Sequence, residues 1–441
     1  MGILNRGMFV LVLSAFSAEC IELLIKMVLA RELGNHGLGQ YMSILPFVFL
    51  IFLLSRLELP VSISKLIAEK EEQYHRNILL HGINLALIIT ILLVIACTLT
   101  LPFLPMFDVY HSFTRWLFLI VIPILSFSAV AKGYFMGKHQ MGKIAISNIL
   151  KHTVQLGALF FLFRLFDFQP KTALLVSFGA LLGSEVIVFA YLMSAFAISY
   201  QVVKRKPSKN LEGESVQKEL MKVSVPVTAM RIFYGVISAI QPFIMKTALV
   251  HSGLTQNEAI AEFGKLTGIA MAIGFFPAFI GHSLLIGIIP TVSKAYSQKD
   301  YSTLQRLLGQ VIKATFFYGL PAVTCCYFFA RPLTKTFFHT EDASVYVQLL
   351  WPFFLFHYFI IPMQAYLIGL GLMKDALIHT IWATAVSFVL IYSLGSMPQW
   401  RMDGISIGLN TEAILLTSLH FLTIIKKIGF KFNTVPKFSD Y

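Results

Sequence analysis

Charged side chains inside long apolar segments are the residues of this chain with the clearest capacity for chemistry. Glu19, Glu22 and Lys26 follow one another at i, i+3 and i+7, so an α-helix places them within about 60° on one face. Charges at membrane depth are rare and usually functional. Two interpretations stay open. An i,i+4 ion pair of Glu22 with Lys26 hides charge between helices, or this face lines a water-filled cavity in which Glu19 or Glu22 binds a coupling proton or sodium ion.

Two arginines and a further carboxylate form a second group of candidates. Arg56 and Glu58 lie in the next apolar segment, directly before Pro60, and a helix would separate them by about 200°. They therefore cannot share one face, and we expect one to face a cavity and the other a neighbouring helix. Arg231 opens the second half of the chain.

Four other charges are expected to have mainly structural roles. Glu185 and Glu412 follow small or polar residues, which let helices approach closely. We interpret both carboxyls as neutral caps of interhelical polar contacts, and they are weaker candidates for ion coupling. Lys151 and Lys313 are expected to snorkel or to make interhelical contacts.

Membrane-spanning helices must position these charges. Of the 441 residues, 57% are hydrophobic and 13% are charged, against about 25% charged in soluble domains. The apolar segments are about 20 residues long, the length that a helix needs to cross a bilayer. The sequence therefore predicts an all-α polytopic membrane protein in the cell membrane.

Several function classes lack their sequence signatures. The cysteines Cys20, Cys97, Cys325 and Cys326 lie in apolar segments, without the spacing of a disulfide framework or a metal site. No Walker A loop, GxGxxG or HExxH motif is present. We therefore expect no enzyme activity, no metal, no cofactor and no nucleotide. Membrane topology and anionic lipids account for the net charge of +13, so no nucleic acid partner is expected.

About twelve helices are predicted, in two bundles of six. The predicted spans are about 7–29, 40–66, 78–101, 114–136, 143–165, 172–200, 222–249, 264–292, 306–330, 344–370, 375–396 and 403–425. The expected domains are an N-terminal bundle over 1–200, a cytoplasmic linker over 201–221, a C-terminal bundle over 222–425 and a basic cytoplasmic tail over 426–441. Lys and Arg are about twice as frequent on the side that carries the N-terminus, so both termini are predicted to be cytoplasmic.

Three motifs recur in the same order in both halves. The matches are Ser62–Lys65 with Thr291–Lys294, Tyr134–Gly137 with Tyr366–Gly369, and Glu185 with Glu412. Their separations of 229, 232 and 227 residues are nearly constant. Because each half has an even number of helices, we expect a pseudo-twofold axis along the membrane normal.

The stretch from Arg31 to Glu72 resembles the opening helices of the polysaccharide exporters related to stage V sporulation protein B. It contains a loop broken by Gly34, Gly37 and Gly39, a Leu-Pro pair and a Ser-Lys ending. The segment from Gly133 to Met141 is similar to the family's turn between helices four and five. Lys143 departs from the resemblance, since a proline is expected there, and many members have two further helices.

This family shares a superfamily with the lipid II flippases and the multidrug and toxin extruders. The resemblance covers nearly the whole chain. It implies a flippase that moves a lipid-linked oligosaccharide or a peptidoglycan-type precursor across the cytoplasmic membrane by alternating access, with a role in spore-envelope formation expected. The expected partners are this lipid-linked glycan and membrane lipids.

A lipid-linked diphosphate sugar is anionic, and arginine binds phosphate through a planar fork of donors. Lys26, Arg56 and Arg231 are therefore the candidate substrate contacts. The alternative function is a cation-coupled multidrug or metabolite antiporter of the extruder type, which favours an acidic cavity. A third class, a glycan polymerase or scaffold, would usually need a large outer loop, and no outer loop of that size is predicted.

Overall fold

The structure, a computed structural model, describes residues 2–205 and 213–429, without the side chains of 2–15, 213–217, 282–287 and several positions near 202–230. The described part contains α-helices with short 3₁₀ and π-helical turns and no strand. Ten of its segments are long and apolar enough to cross a membrane. The predicted all-α polytopic membrane fold is confirmed. Of the predicted linker over 201–221, residues 206–212 lie outside the described residues, and the rest is helical, as the end of α6 and the start of α7. Of the predicted tail over 426–441, residues 430–441 lie outside the described residues.

Sixteen α-helices make up this part of the chain. They are α1 Gly2–Arg56, α2 Leu59–Glu69, α3 Glu72–Thr100, α4 Phe113–Gly137, α5 Met141–Leu165, α6 Pro170–Arg205, α7 Gly213–His251, α8 Gln256–Gly264, α9 Met271–Phe275, α10 Ala278–Ser297, α11 Tyr301–Phe328, α12 Ala330–Phe338, α13 Ser344–Leu349, α14 Trp351–Gly369, α15 Met373–Gly395 and α16 Arg401–Ile428.

The first membrane segment is long enough for two crossings. Phe16–Glu69 contains 54 residues, or about 80 Å of helix against a hydrocarbon layer of about 30 Å. Gly34 interrupts it with φ 65° and ψ 179°. The expectation of a loop through all three glycines is wrong, because Gly37 and Gly39 are already helical. A Cβ on Gly39 would collide with the carbonyl of Ile260 on α8, so this glycine allows α1 and α8 to touch.

The predicted single helix over 264–292 is also wrong. A π-helical turn at Lys265–Ala270 follows α8, and α9 ends before Pro277, which precedes α10. Proline has no N–H for the helix ladder, so it interrupts the segment. Phe16–Glu69 counts as one of the ten segments although it is long enough for two crossings.

The helices form two compact units. The first holds α1–α6, α7 up to Lys246, and 255–269; the second holds 247–254 and the helices from residue 270 onward. Most of α7 therefore belongs with the first unit, although the sequence placed the domain boundary at 222.

Each unit has an apolar core of its own. In the first unit Ile63, Ile67, Ile78, Phe135 and Leu192 are buried together between α2, α3, α4 and α6. In the second unit a similar cluster joins α10, α11, α14 and α16. In the first unit, apolar packing holds helices that also carry charged residues.

The predicted repeat is visible in the turns that follow α4 and α14. The carbonyl of Tyr134 accepts from the N–H of Lys138 at 3.0 Å, and the carbonyl of Phe135 accepts from Gln140 at 2.8 Å. The two turns lie 232 positions apart in the sequence, and their hydrogen bonds repeat as well. The corresponding bonds run from Leu370 to Tyr366 at 3.0 Å and from Leu372 to Leu367 at 2.9 Å. The residue between the two donors has positive φ in both turns, 55° at His139 and 76° at Gly371.

Candidate functional site

A buried carboxylate in the first unit collects two cations. The side chain of Glu185 on α6 is 2% exposed, and Lys151 on α5 approaches its Oε1 to 3.0 Å. Arg56 at the end of α1 lies 3.3 Å from the same oxygen and 3.4 Å from Oε2. An isolated carboxylate is costly to bury, and paired cations offset that cost. The interpretation of Glu185 as a neutral cap is therefore replaced by that of an ion-paired carboxylate.

A third cation belongs to the same group. Lys132 on α4 interacts electrostatically with Arg56, Lys151 and Glu185. Lys132 is not among the charges singled out from the sequence; it lies within α4, five residues before the end of that helix. Three cations and one carboxylate leave a positive excess. We call Arg56, Lys132, Lys151 and Glu185 the charge cluster.

The position of Arg56 depends on a break between α1 and α2. Leu57 and Glu58 have φ of 40° and 48°, a left-handed conformation that costs a residue with a side chain about 1–3 kcal/mol. Pro60 lies in the first turn of α2, where its missing N–H is tolerated. The hydroxyl of Ser126 on α4 donates to the carbonyl of Ser55 at 2.8 Å, which stabilises the backbone beside the break.

Glu58 is held at this break by a different arginine. Its side chain is 8% exposed, and its Oε1 lies 2.9 Å from Nη1 of Arg231 on α7, which is 57% exposed. One turn further along α2, the hydroxyl of Ser224 on α7 donates to Ser62 at 2.8 Å. Arg56 and Glu58 thus have separate partners, but the reason differs from the expected one, because the break at Leu57 and Glu58 separates them and they do not share one helix. Glu58 joins α7 to α2.

The polar face of α1 borders a small cavity. Lys26 lies 2.9 Å from Oε1 of Glu22, and both line a cavity of about 110 Å³ together with Tyr41, Lys151 and His152. Glu19 lies within electrostatic reach of Glu22 and Lys26. The two interpretations made from the sequence therefore coexist, since the i,i+4 ion pair is formed and it lines a cavity. Lys151 connects this cavity to the charge cluster.

The repeat does not extend to the electrostatics. Glu412, which the sequence matches with Glu185, accepts a hydrogen bond from Thr384 on α15 at 2.8 Å. Within the described ranges it forms no ion pair. The interpretation of Glu412 as a hydrogen-bonded interhelical carboxyl agrees with this geometry, so the two matched residues differ in chemistry.

Sequence reasoning found part of this site. The structure brings Lys26 near the cavity and Arg56 into the charge cluster, and it places Arg231 with Glu58. It adds Lys132, which was not a sequence candidate, and Lys151, which the sequence had treated as a snorkelling or interhelical charge. The signal that could have found Lys132 is a charged residue inside the predicted helix over 114–136.

The fold and these charges define a class of protein: all-α polytopic membrane proteins that keep ionised side chains inside a helical unit. A solved structure described as the inward-facing conformation of a multidrug resistance MATE family transporter of the MOP superfamily shares this fold. Its TM-score is 0.74 at 18% sequence identity, over 93% of this chain and 94% of the other.

The chain belongs to the polysaccharide biosynthesis protein family, whose sequence profile matches residues 4–295. The MatE profile matches residues 265–393. The family resemblance expected from the sequence is confirmed.

Three relatives come from Bacillus subtilis (strain 168). Sporulation protein YkvU is 46% identical over 96% of this chain and 95% of the relative. Stage V sporulation protein B is 30% identical over 96% of this chain and 83% of the relative. Lipid II flippase MurJ is 22% identical over 72% of this chain and 60% of the relative.

Proposed function

We propose that the protein is a flippase that moves a lipid-linked oligosaccharide or a peptidoglycan-type precursor across the cytoplasmic membrane, in the formation of the spore envelope. Family membership and the names of the relatives support the substrate class and the sporulation context. The charge cluster is the observation that carries the proposal, because its positive excess suits a diphosphate better than a cationic drug.

The cluster offers a way to bind and release such an anion. Glu185 forms ion pairs with Arg56 and Lys151 in the structure, and the side chains of these two cations are 31% and 22% exposed. A substrate phosphate can therefore compete with Glu185 for the same donors. Exchange of one anion for another keeps the cations paired at every stage, so no step leaves an isolated charge in an apolar environment.

Coupling to an ion is the second part of the proposal. Glu22 and Glu19 lie on the face that borders the cavity, and Lys26 already holds Glu22. A proton or sodium ion that replaces Lys26 at this carboxylate would free the lysine for the substrate anion. Alternating access with both termini in the cytoplasm completes the proposed scheme.

The function is tested by the charge of the preferred ligand. The purified full-length protein in lipid nanodiscs is offered a lipid-linked diphosphate sugar and, separately, a cationic dye. We expect saturable binding of the anionic lipid and competition by inorganic pyrophosphate. Tight binding of the dye, increased by Arg56→Ala, with no binding of the lipid would favour the antiporter.

A further inference from the structure

Two buried histidines in the second unit face each other through the same ring nitrogen. Nδ1 of His379 on α15 lies 3.0 Å from Nδ1 of His420 on α16, and the two residues are 9% and 1% exposed. On its other side, Nε2 of His379 lies 3.1 Å from Oγ1 of Thr423. The proposed substrate and ion sites lie in the first unit and make no use of this pair.

The geometry limits how many protons the pair holds. A hydrogen bond between two Nδ1 atoms requires one N–H donor and one lone pair. In the neutral pair with the shared proton on His379, its Nε2 carries a lone pair that accepts from the hydroxyl of Thr423. One nitrogen of the pair is therefore free to bond a further proton while the central hydrogen bond is kept.

We propose that His379 and His420 form a proton-binding site that takes up one proton and no second one. The proton bonds to the Nε2 lone pair of His379 and makes an imidazolium, which donates Nδ1–H to His420 and Nε2–H to Thr423. The threonine hydroxyl then turns its own hydrogen to a carbonyl of its helix. A second proton would set two N–H donors against each other at 3.0 Å without an acceptor between them.

The surroundings of the pair favour His379 as the charged ring. Asp375, one turn earlier on α15, interacts electrostatically with His379. Lys427, in the last turn of α16, is directed toward the ring of Tyr296 at 5.7 Å.

The helices packed against the pair add neutral groups. On α14, Tyr366 donates to the carbonyl of Leu304, and Thr417 of α16 donates to the carbonyl of Phe356. α10 and α11 contribute apolar side chains such as Val292 and Leu308 to the core cluster that also contains Ala376 of α15 and Ile424 of α16. The bound proton therefore introduces a charge that interacts with Asp375 on the same helix as His379.

The bound proton strengthens the link between α15 and α16, because a hydrogen bond from an imidazolium is stronger than one between neutral rings. A proton site in the second unit is separate from the carboxylates Glu19 and Glu22. It makes the stability of this helix pair depend on pH whether or not a substrate is bound.

The test uses the full-length protein with isotopically labelled histidine in lipid nanodiscs, followed by NMR from about pH 8 to about pH 5, the range in which histidine charges. We expect a coupling between the two Nδ1 nuclei and a single titration step shared by both rings. His379→Asn and His420→Asn each abolish the coupling and the shared step, because only one ring remains to titrate, and His111→Asn, at an exposed loop histidine, leaves both unchanged. Two independent steps, or no step in this range, would overturn the proposal.

Thr423→Val provides a variant that keeps both rings. It removes the acceptor of the Nε2–H of the imidazolium, a hydrogen bond to a charged group, so proton affinity should fall roughly tenfold. Thr423→Ser keeps the hydroxyl and should titrate like the unmodified protein. Equal titration of both threonine variants contradicts the assigned position of the proton. Because no substrate takes part, failure of this test leaves the flippase proposal standing.

Discussion

Lys151 and Glu185 meet at 3.0 Å on two helices that follow one another in the chain. Arg56 reaches the same carboxylate from α1 at 3.3 Å. A single anion thus keeps two cations paired in apolar surroundings. The consequence is that the first unit depends on this carboxylate for its stability as well as for any exchange with a substrate.

Glu185→Gln should destabilise the protein. The change leaves Arg56 and Lys151 without their anion, and because both cations keep some exposure we expect a loss of about 1–3 kcal/mol, seen as lower thermal stability in detergent. The matched control is Glu412→Gln, whose amide oxygen still accepts from Thr384. Equal losses in both variants would show that the charge cluster has no special role in stability.

Arg56→Ala should weaken binding of a lipid-linked diphosphate sugar by roughly tenfold or more, because a contact to a charged group contributes about 1.5–3 kcal/mol. Arg56→Lys keeps the charge but loses the planar fork, so its affinity for the lipid-linked sugar should lie between those of the unmodified protein and of Arg56→Ala. Binding and thermal stability are measured on the same purified variants. Unchanged binding with lowered stability would remove Arg56 from the substrate site and leave it as a partner of Glu185 alone.

Glu22→Gln should slow transport without unfolding the protein. The amide cannot exchange Lys26 for a proton or sodium ion, so the dependence of transport on pH or sodium should weaken. Uptake of a fluorescent lipid-linked sugar into proteoliposomes gives the rate, with Glu19→Gln as the companion variant. Rates equal to wild type for both variants at every pH and sodium concentration would exclude these carboxylates from coupling.

Truncation of Arg231 should lower the stability of the protein more than truncation of Glu58. Arg231→Ala leaves a buried carboxylate unpaired and should cost about 1–3 kcal/mol, whereas Glu58→Ala leaves an arginine that is already 57% exposed. Thermal unfolding of both variants in one detergent provides the comparison. A larger loss for Glu58→Ala would mean that the strained backbone at this position, and not the ion pair, dominates.

Gly137→Ala should destabilise the packing of α4 on α2. The added Cβ would lie 2.6 Å from Cβ of Ile67 and 2.8 Å from the carbonyl of Ser64, and overpacking of this kind costs about 1–3 kcal/mol. Gly142→Ala, at the second residue of α5 and with nothing within 4 Å of the added Cβ, is the control and should be neutral. Equal stability of the two variants would contradict the close approach.

The sequence predicts more of the helical architecture than of the candidate site. Hydropathy identified most spans because backbone groups in lipid must be satisfied within helices. The turn after Tyr134 was matched with the turn after Tyr366 from sequence, since both depend on local backbone geometry. The break at Leu57 and Glu58 was not predicted, because a left-handed conformation at two residues with side chains has no sequence signature of its own.

The partners of the charged residues could be identified only from the three-dimensional structure. Periodicity placed Glu22 beside Lys26 because both lie on one helix. The meeting of Arg56, Lys151 and Glu185 joins α1, α5 and α6, and no spacing along the chain encodes it. The contact between His379 and His420 likewise joins two helices, α15 and α16, and their spacing in the sequence does not encode it.

The whole charge cluster lies between residues 56 and 185, and this has a consequence for biosynthesis. At about 5–20 residues per second, the ribosome completes Glu185 about 10–50 s before the matching position Glu412. Arg56 and Lys151 can therefore pair with Glu185 while the second unit is still being made. The formation of these ion pairs therefore does not have to wait for the later half of the chain.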